Sequence, residues 1–235
     1  MAEIRTEIKK CKLFQGVSDK EISDFLRMHP CRIRDFGKDD CIITREEQSS
    51  NIGVVLNGTL GIYSDSYYGG HALVGIGGRD YLFGFIAMFY NQAHSITSLY
   101  SRGCRVAYFS IPKDQSPENF IANTSPRIIS NIFDCLTKHI RDDFNHIYYI
   151  SSSSVSVKLA RFLLYNVHGD ESKSFCLTMN RTELANYLSV YRTTLSRELT
   201  RMIGEGIITL TPCVGGSMLR ILRPEALIEI EKDSI

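Results

Sequence analysis

Between Asn180 and Met202 two short helical periods stand three residues apart, and no other stretch limits the fold of this chain as tightly. Asn180 and Glu183 have the spacing of a capping box, which starts a helix at Arg181. Leu184, Ala185 and Leu188 fall on one face of that helix, and the small Ala185 lets a second helix cross close by. Ser189-Val190-Tyr191 reads as the turn, with Val190 as its buried pivot. A second helix follows, with Leu195, Leu199 and Met202 inward and Arg192, Thr193, Ser196 and Arg197 outward near its N-terminus. Those are the positions at which a recognition helix presents side chains to the major groove of DNA.

The outward residues have suitable chemistry. Guanine offers O6 and N7 to a guanidinium fork, and Arg192 and Arg197 are the forks at reading positions. Asn180, Arg181, Tyr191, Thr194 and Arg201 surround them as expected phosphate contacts, which fix register without reading bases. From Thr178 to Arg223 six basic residues stand against three acidic ones, in a chain whose net charge is +1. The flanks agree. Val155 to Leu164 has the period of an amphipathic helix, stopped near Gly169-Asp170. Apolar runs at Phe175–Leu177, Ile207–Leu210 and Met218–Leu222 read as strands, the last two joined at Gly215-Gly216. Helices and hairpin in this order predict a winged helix-turn-helix over residues 154–235.

Upstream the periods differ. After a short helical start at Thr6–Cys11, Ser18 and Glu21 form a second capping box, opening a helix to about Met28 that His29-Pro30 ends. Short β-like runs follow at Cys41–Thr44, Ile52–Leu56, Thr59–Tyr63, Ala72–Ile76 and Val106–Ser110. Turns expected at Asn57-Gly58, Gly69-Gly70 and Gly77-Gly78 make them an antiparallel sandwich or roll. Beyond Pro126, Ile129, Phe133, Leu136, Ile140, Phe144 and Ile147 recur at steps of three and four. That narrow stripe on a long helix predicts a seam between two copies of the chain. Ser151 to Ser154 reads as a hinge. The expected class is therefore α+β: an antiparallel β-roll or sandwich at 1–125, a dimerisation helix and hinge at 126–153, and the winged head at 154–235.

Composition narrows the function. With 27 basic and 26 acidic residues the chain has no polybasic or acidic tail. Its longest uncharged apolar stretch, Tyr81–Tyr90, is about half a membrane span, and charges interrupt the N-terminus, so a cytoplasmic protein with no membrane partner is expected. Seven cysteines with no C-x-x-C pair read as reduced thiols. No histidine pattern has metal-ligand spacing, and G-x-S-x-G, P-loop and G-x-G-x-x-G motifs are absent. No catalytic residues and no metal site are expected. A cupin-like metal enzyme on the β-roll is the remote alternative, and it lacks paired histidines with a nearby Glu.

At these residues the chain resembles the Crp/Fnr family of bacterial transcription regulators. The resemblance rests on Val54–Tyr63 and Gly78–Gly84 in the sensor half, and on Lys158–Leu164, Glu183-Leu-Ala and Leu195-Ser-Arg197 in the output half. It implies a homodimer that binds an inverted repeat in double-stranded DNA, with RNA polymerase as a further partner and a small-molecule effector that shifts the long helices. In nucleotide-binding members a Gly-Glu-Leu motif holds the ribose and a later Arg-Ser pairs with the cyclic phosphate. The matching stretch here is Gly84-Phe85-Ile86 and then His94-Ser95, with Asp143 and Phe144 at the positions that touch adenine. Phe85 cannot accept a hydroxyl and His94 is a weak substitute for the fork, which argues against cyclic AMP. The alternative is a haem- or redox-sensing member responding to NO, oxygen or thiol oxidation, with His71, His94, His139 or His146 as axial candidates. Members that place Glu after the first recognition Arg read cytosine with it; here that place is Thr193.

Overall fold

The computed structural model describes residues 2–43, 51–65, 71–85, 97–112, 115–169 and 171–232. The chain divides into two compact units, Met1–Ile140 and Arg141–Ile235. In the first, α1 (Ala2–Ile8) and a 3-10 turn (Lys12–Phe14) precede α2 (Asp19–Met28). The opening helix lies N-terminal to the Thr6–Cys11 expected, because the chain turns after Ile8 and buries Cys11, Leu13 and Phe14. The first capping box forms as expected. Glu21 Oε2 accepts from the Ser18 N–H at 2.9 Å, and Ser18 Oγ accepts from the Glu21 N–H at 3.3 Å.

Strands β1 (Cys31–Ile43), β2 (Asn51–Asp65), β3 (His71–Gly77), β4 (Leu82–Phe83) and β5 (Thr97–Ser110) make one antiparallel sheet. Its order is β1-β5-β2-β3, with β4 also paired to β2. Successive residues of a strand face opposite ways. Val54 therefore joins an aromatic core with Phe14, Phe25, Phe109 and Phe120, while Val55 joins a second cluster with Leu60, Phe83, Leu99 and Val106.

Two expectations fail in this sheet. Asn57-Gly58 is not a turn: the runs at Ile52–Leu56 and Thr59–Tyr63 belong to one strand, β2, whose register against β5 shifts on either side of this pair. Gly58 has φ +77°, and a Cβ there would meet the Gly103 carbonyl oxygen at 2.0 Å. The Asn-Gly signal reports a left-handed residue, and here a bulge uses it instead of a reversal. The runs at Cys41–Thr44 and Val106–Ser110 are likewise only the ends of much longer strands. The rest of β1 carries the exposed charges Arg32, Arg34 and Asp35, which hid it from an apolar search. Thr44 and the Gly69-Gly70 turn lie outside the described residues. Gly77-Gly78 does turn the chain, with the Tyr81 N–H donating to the Gly78 carbonyl at 3.0 Å.

Helices α3 (Pro117–Asn123) and α4 (Pro126–Ile150) follow. The sequence reading missed α3, which Ser116 caps and Phe120 anchors in the core. The second unit takes the end of α4, then α5 (Val155–Asn166), β6 (Ser174–Leu177), α6 (Arg181–Tyr187), α7 (Arg192–Gly204), β7 (Ile208–Cys213), β8 (Gly216–Ile221) and α8 (Pro224–Lys232). Ser154 caps α5, Asn166 ends it, and Asp170 lies outside the described residues. The small sheet runs β6-β8-β7, and Cys213 pairs with Gly216, so the hairpin tip is Val214-Gly215 rather than Gly215-Gly216. Gly216 belongs to β8, where a Cβ would strike the Leu177 carbonyl at 2.3 Å. The architecture is α+β, with an antiparallel sheet domain, a long helix and a winged helix-turn-helix.

The aromatic core holds a histidine. His29 is fully buried, its ring 4.8 Å from Phe25 and 5.2 Å from Phe120. Nδ1 lies 3.3 Å from the Ser110 carbonyl, and Nε2 is buried with no partner among the described residues. Burial pushes its pKa below the ordinary value of 6.5, because a second proton would sit unsolvated. The unfolded chain then binds the proton first as pH falls, so stability is lost from about pH 6.5 downward until the folded value is passed. Denaturant titrations between pH 7.5 and 5 should show this slope. His29→Phe should reduce it by at most about 1.4 kcal/mol per pH unit, the limit for one proton.

Candidate nucleic-acid interface

Helix α6 starts as its sequence demands. Asn180 Oδ1 accepts from the Thr182 and Glu183 N–H groups, both at 2.9 Å, and Glu183 Oε2 accepts from the Asn180 N–H at 2.7 Å. Leu184, Ala185 and Leu188 are buried on its inner face. The turn is made by Ser189 at φ +52° and by the Val190 N–H, which donates to the Ala185 carbonyl at 2.9 Å. Beneath it lies a group that the sequence reading passed over. Lys158, on α5 and 8% exposed, donates from Nζ to the carbonyls of Leu188 at 3.2 Å and Ser189 at 3.1 Å. A cation is favoured there because a helix C-terminus carries partial negative charge and free carbonyls.

The turn delivers α7 with Leu195, Leu199 and Met202 fully buried. Arg192, Thr193, Thr194 and Arg197 are exposed, Ser196 is half-buried, and Tyr191 is 85% exposed. Tyr191 caps α7 without a side-chain hydrogen bond, so among the described residues its side chain does not occupy the N–H groups of the first turn. Among the described residues no carboxylate pairs with Arg192 or Arg197. The other arginines differ. Arg201 is held by Glu198 at 2.5 Å and by Glu205 at 2.7 Å. Arg181 is half-buried, with Nη1 unpartnered among the described residues, and burial pushes its pKa down.

Within the same unit, the end of α4 is fastened to this head. His146 Nε2 lies 2.6 Å from the Tyr187 carbonyl, and the two rings stack 4.1 Å apart with 9° between their planes. A carbonyl can only accept, so Nε2 carries the proton and donates. Tyr149 is buried against Phe162, and the Arg161 guanidinium lies over Tyr148. His146 is therefore engaged in structure. His139 stacks on Tyr81 at 4.3 Å, while His94 and the His71 side chain lie outside the described residues.

Helix α4 has two apolar faces. Ile128, Ile132 and Cys135 are buried in the core of the first unit. Ile129 and Leu136 are half-buried beside them, whereas Phe133, Ile140, Phe144 and Ile147 are 62%, 55%, 66% and 58% exposed. Of the expected effector residues, Gly84 has φ +81° and no room for a Cβ, and Phe85 is turned into the core, edge-on to Phe120 at 5.8 Å. Asp143 and Phe144 are exposed and belong to the second unit, and Ile86, His94 and Ser95 lie outside the described residues.

A profile described as a Crp-like helix-turn-helix domain matches residues 157–230. Regulatory protein HlyX of Actinobacillus pleuropneumoniae is 33% identical over 112 residues, covering 46% of this chain and 45% of HlyX. The matched stretch thus spans about half the length of that relative. Transcriptional activator protein Anr of Pseudomonas protegens is 23% identical over 209 residues, covering 87% of this chain and 82% of that one. Among solved structures, FixK2 from Bradyrhizobium japonicum superposes with a TM-score of 0.67 at 15% identity, over 86% of this chain and 97% of that one. A mutant of CooA from Carboxydothermus hydrogenoformans gives 0.67 at 17% identity, over 88% and 89%. These structures share the fold, and the relatives named are regulators rather than enzymes.

The Lys158 contact can be tested directly. Lys158→Met keeps the buried stem and removes the donor, leaving two carbonyls without it. The second unit should lose about 1–3 kcal/mol, read from its denaturation midpoint.

Proposed function

We propose that this chain is a transcription regulator of the Crp/Fnr family, a homodimer that reads an inverted repeat in DNA under the control of an effector. The observation that carries the reading is the pair of exposed guanidinium groups of Arg192 and Arg197, free of carboxylates among the described residues, on a helix whose opposite face is fully buried. Arg192 and Arg197 each grip a guanine with two parallel bonds. Thr193 and Ser196 make the adaptable contacts between and beside them, without the acid that would demand a cytosine. Tyr191 and Thr194, with Asn180 and Arg181 at the start of α6, hold phosphates and set the register. Arg201 joins them only by leaving Glu198 and Glu205.

In this reading residues 1–125 sense, 126–153 pair two chains, and 154–235 read DNA. The exposed row Phe133, Ile140, Phe144 and Ile147 supports the pairing, since an isolated apolar stripe on a long helix is stable when a symmetry mate covers it. Two heads related by that axis meet half-sites about one helical turn, roughly 34 Å, apart. The effector is a molecule other than cyclic AMP, because Phe85 fills core space where nucleotide-binding members carry the ribose-holding acid. No described helix is long and apolar enough to cross a membrane. The cytoplasm, with RNA polymerase as a further partner, is the setting this function requires.

Selection from random DNA should return a palindrome, and Arg197→Ala should cost about 1–3 kcal/mol on that site while relaxing one base pair. An unchanged selected motif would remove the recognition role from α7. Replacing Ile140 and Phe144 together by Asp puts charge on the exposed stripe without touching the chain's own core. Sedimentation should show this double variant as a monomer with wild-type folding.

A further inference from the structure

Two of the seven cysteines face each other in the wing. Cys176 on β6 and Cys213 at the end of β7 both lie on strands paired to β8, opposite Met218 and Gly216. Their sulfurs are 3.0 Å apart, and Cys176 Sγ also lies 3.9 Å from the Val214 carbonyl at the hairpin tip. Cys176 is exposed and Cys213 partly so. A disulfide bond is about 2.05 Å long and spans Cα atoms no more than about 7 Å apart, so closing the gap of roughly 1 Å draws the ends of β6 and β7 together as well as the two side chains. By contrast Cys11, Cys104 and Cys135 are buried, out of reach of an oxidant in solvent. Such thiols react slowly. No third His, Cys, Asp or Glu joins the pair among the described residues, so two thiols without a metal are what the site offers.

We propose that Cys176 and Cys213 are a reversible dithiol–disulfide pair that ties the wing tip to β6. The loop it closes runs from β6 to the end of β7 and contains both helices of the helix-turn-helix. Cross-linking the ends of that loop removes conformations from the unfolded head, so the oxidised head is the more stable one. The oxidant is a low-molecular-weight disulfide, glutathione disulfide being the probe. One protein thiolate attacks it and expels a glutathione thiolate, leaving a mixed disulfide. The second protein thiolate attacks the protein sulfur of that bond and expels the other glutathione. Two electrons pass from the pair to glutathione, and both protons end on the released thiols. The inference does not depend on which DNA sequence the head reads, or on whether it reads DNA at all.

The test uses the full chain, purified anaerobically and equilibrated with mixtures of glutathione and its disulfide. After alkylation and trypsin, the fragments Ser174–Arg181 and Met202–Arg220 should appear joined and two hydrogens lighter. The melting temperature of the oxidised protein should rise by at least about 5 °C and return on addition of dithiothreitol. Cys176→Ser and Cys213→Ser should each abolish the joined fragment and the shift, and Cys41→Ser should keep both. Separate glutathione adducts on the two cysteines, a cross-link between chains on a non-reducing gel, or a melting shift that survives in Cys176→Ser would each overturn the proposal.

Discussion

A buried ammonium group sets the geometry on which the output half depends. Lys158 reaches under the turn between α6 and α7 and bonds the carbonyls of Leu188 and Ser189, where a helix end leaves oxygens without donors. That contact ties three elements at one point: α5, which carries the lysine, and the two helices that the turn joins. The Val190 N–H closes the same turn against Ala185. With the turn fixed from both sides, burial of Leu195, Leu199 and Met202 decides the rotation of α7 about its own axis. The exposure of Arg192 and Arg197 follows from that rotation.

The long helix serves the two units with different chemistry along its length. Its first half is held by aliphatic burial, through Ile128, Ile132 and Cys135. Its last turns are held by aromatic and polar contacts, with His146 stacked on and bonded to Tyr187 and Tyr149 packed on Phe162. Tyr187 closes α6, the first helix of the helix-turn-helix. A displacement of the last turns of α4 would therefore act on the end of α6 through a stacked and hydrogen-bonded pair.

Much of the organisation was legible in the sequence because it is written in local patterns. Both capping boxes, the helix-turn-helix and the wing strands depend on residues close along the chain, and they lie where spacing put them. The exposed half of the α4 stripe was readable for the same reason: steps of three and four fix which side chains share a face. The strands were harder. β1 was half missed because exposed charges interrupt it, β5 because buried Ser98 and Ser101 and a glycine break its apolar run, and Asn57-Gly58 was misread because a bulge and a turn need the same left-handed residue.

The sequence by itself determined the class of the fold and the identity of the outward arginines, since helical period and capping are properties of neighbouring residues. Only the tertiary structure decided which charged groups are free and which are spent. Arg201 carries the same charge as Arg197, yet it is bound by Glu198 and Glu205, and Arg181 is half-buried. Nothing in the helical period marks Lys158 as buried, and its place under the turn depends on where α6 ends thirty residues later. The approach of Cys176 to Cys213 likewise required the pairing of two strands with a third between them. Contacts of that kind join residues far apart along the chain, and no periodicity in the sequence records them.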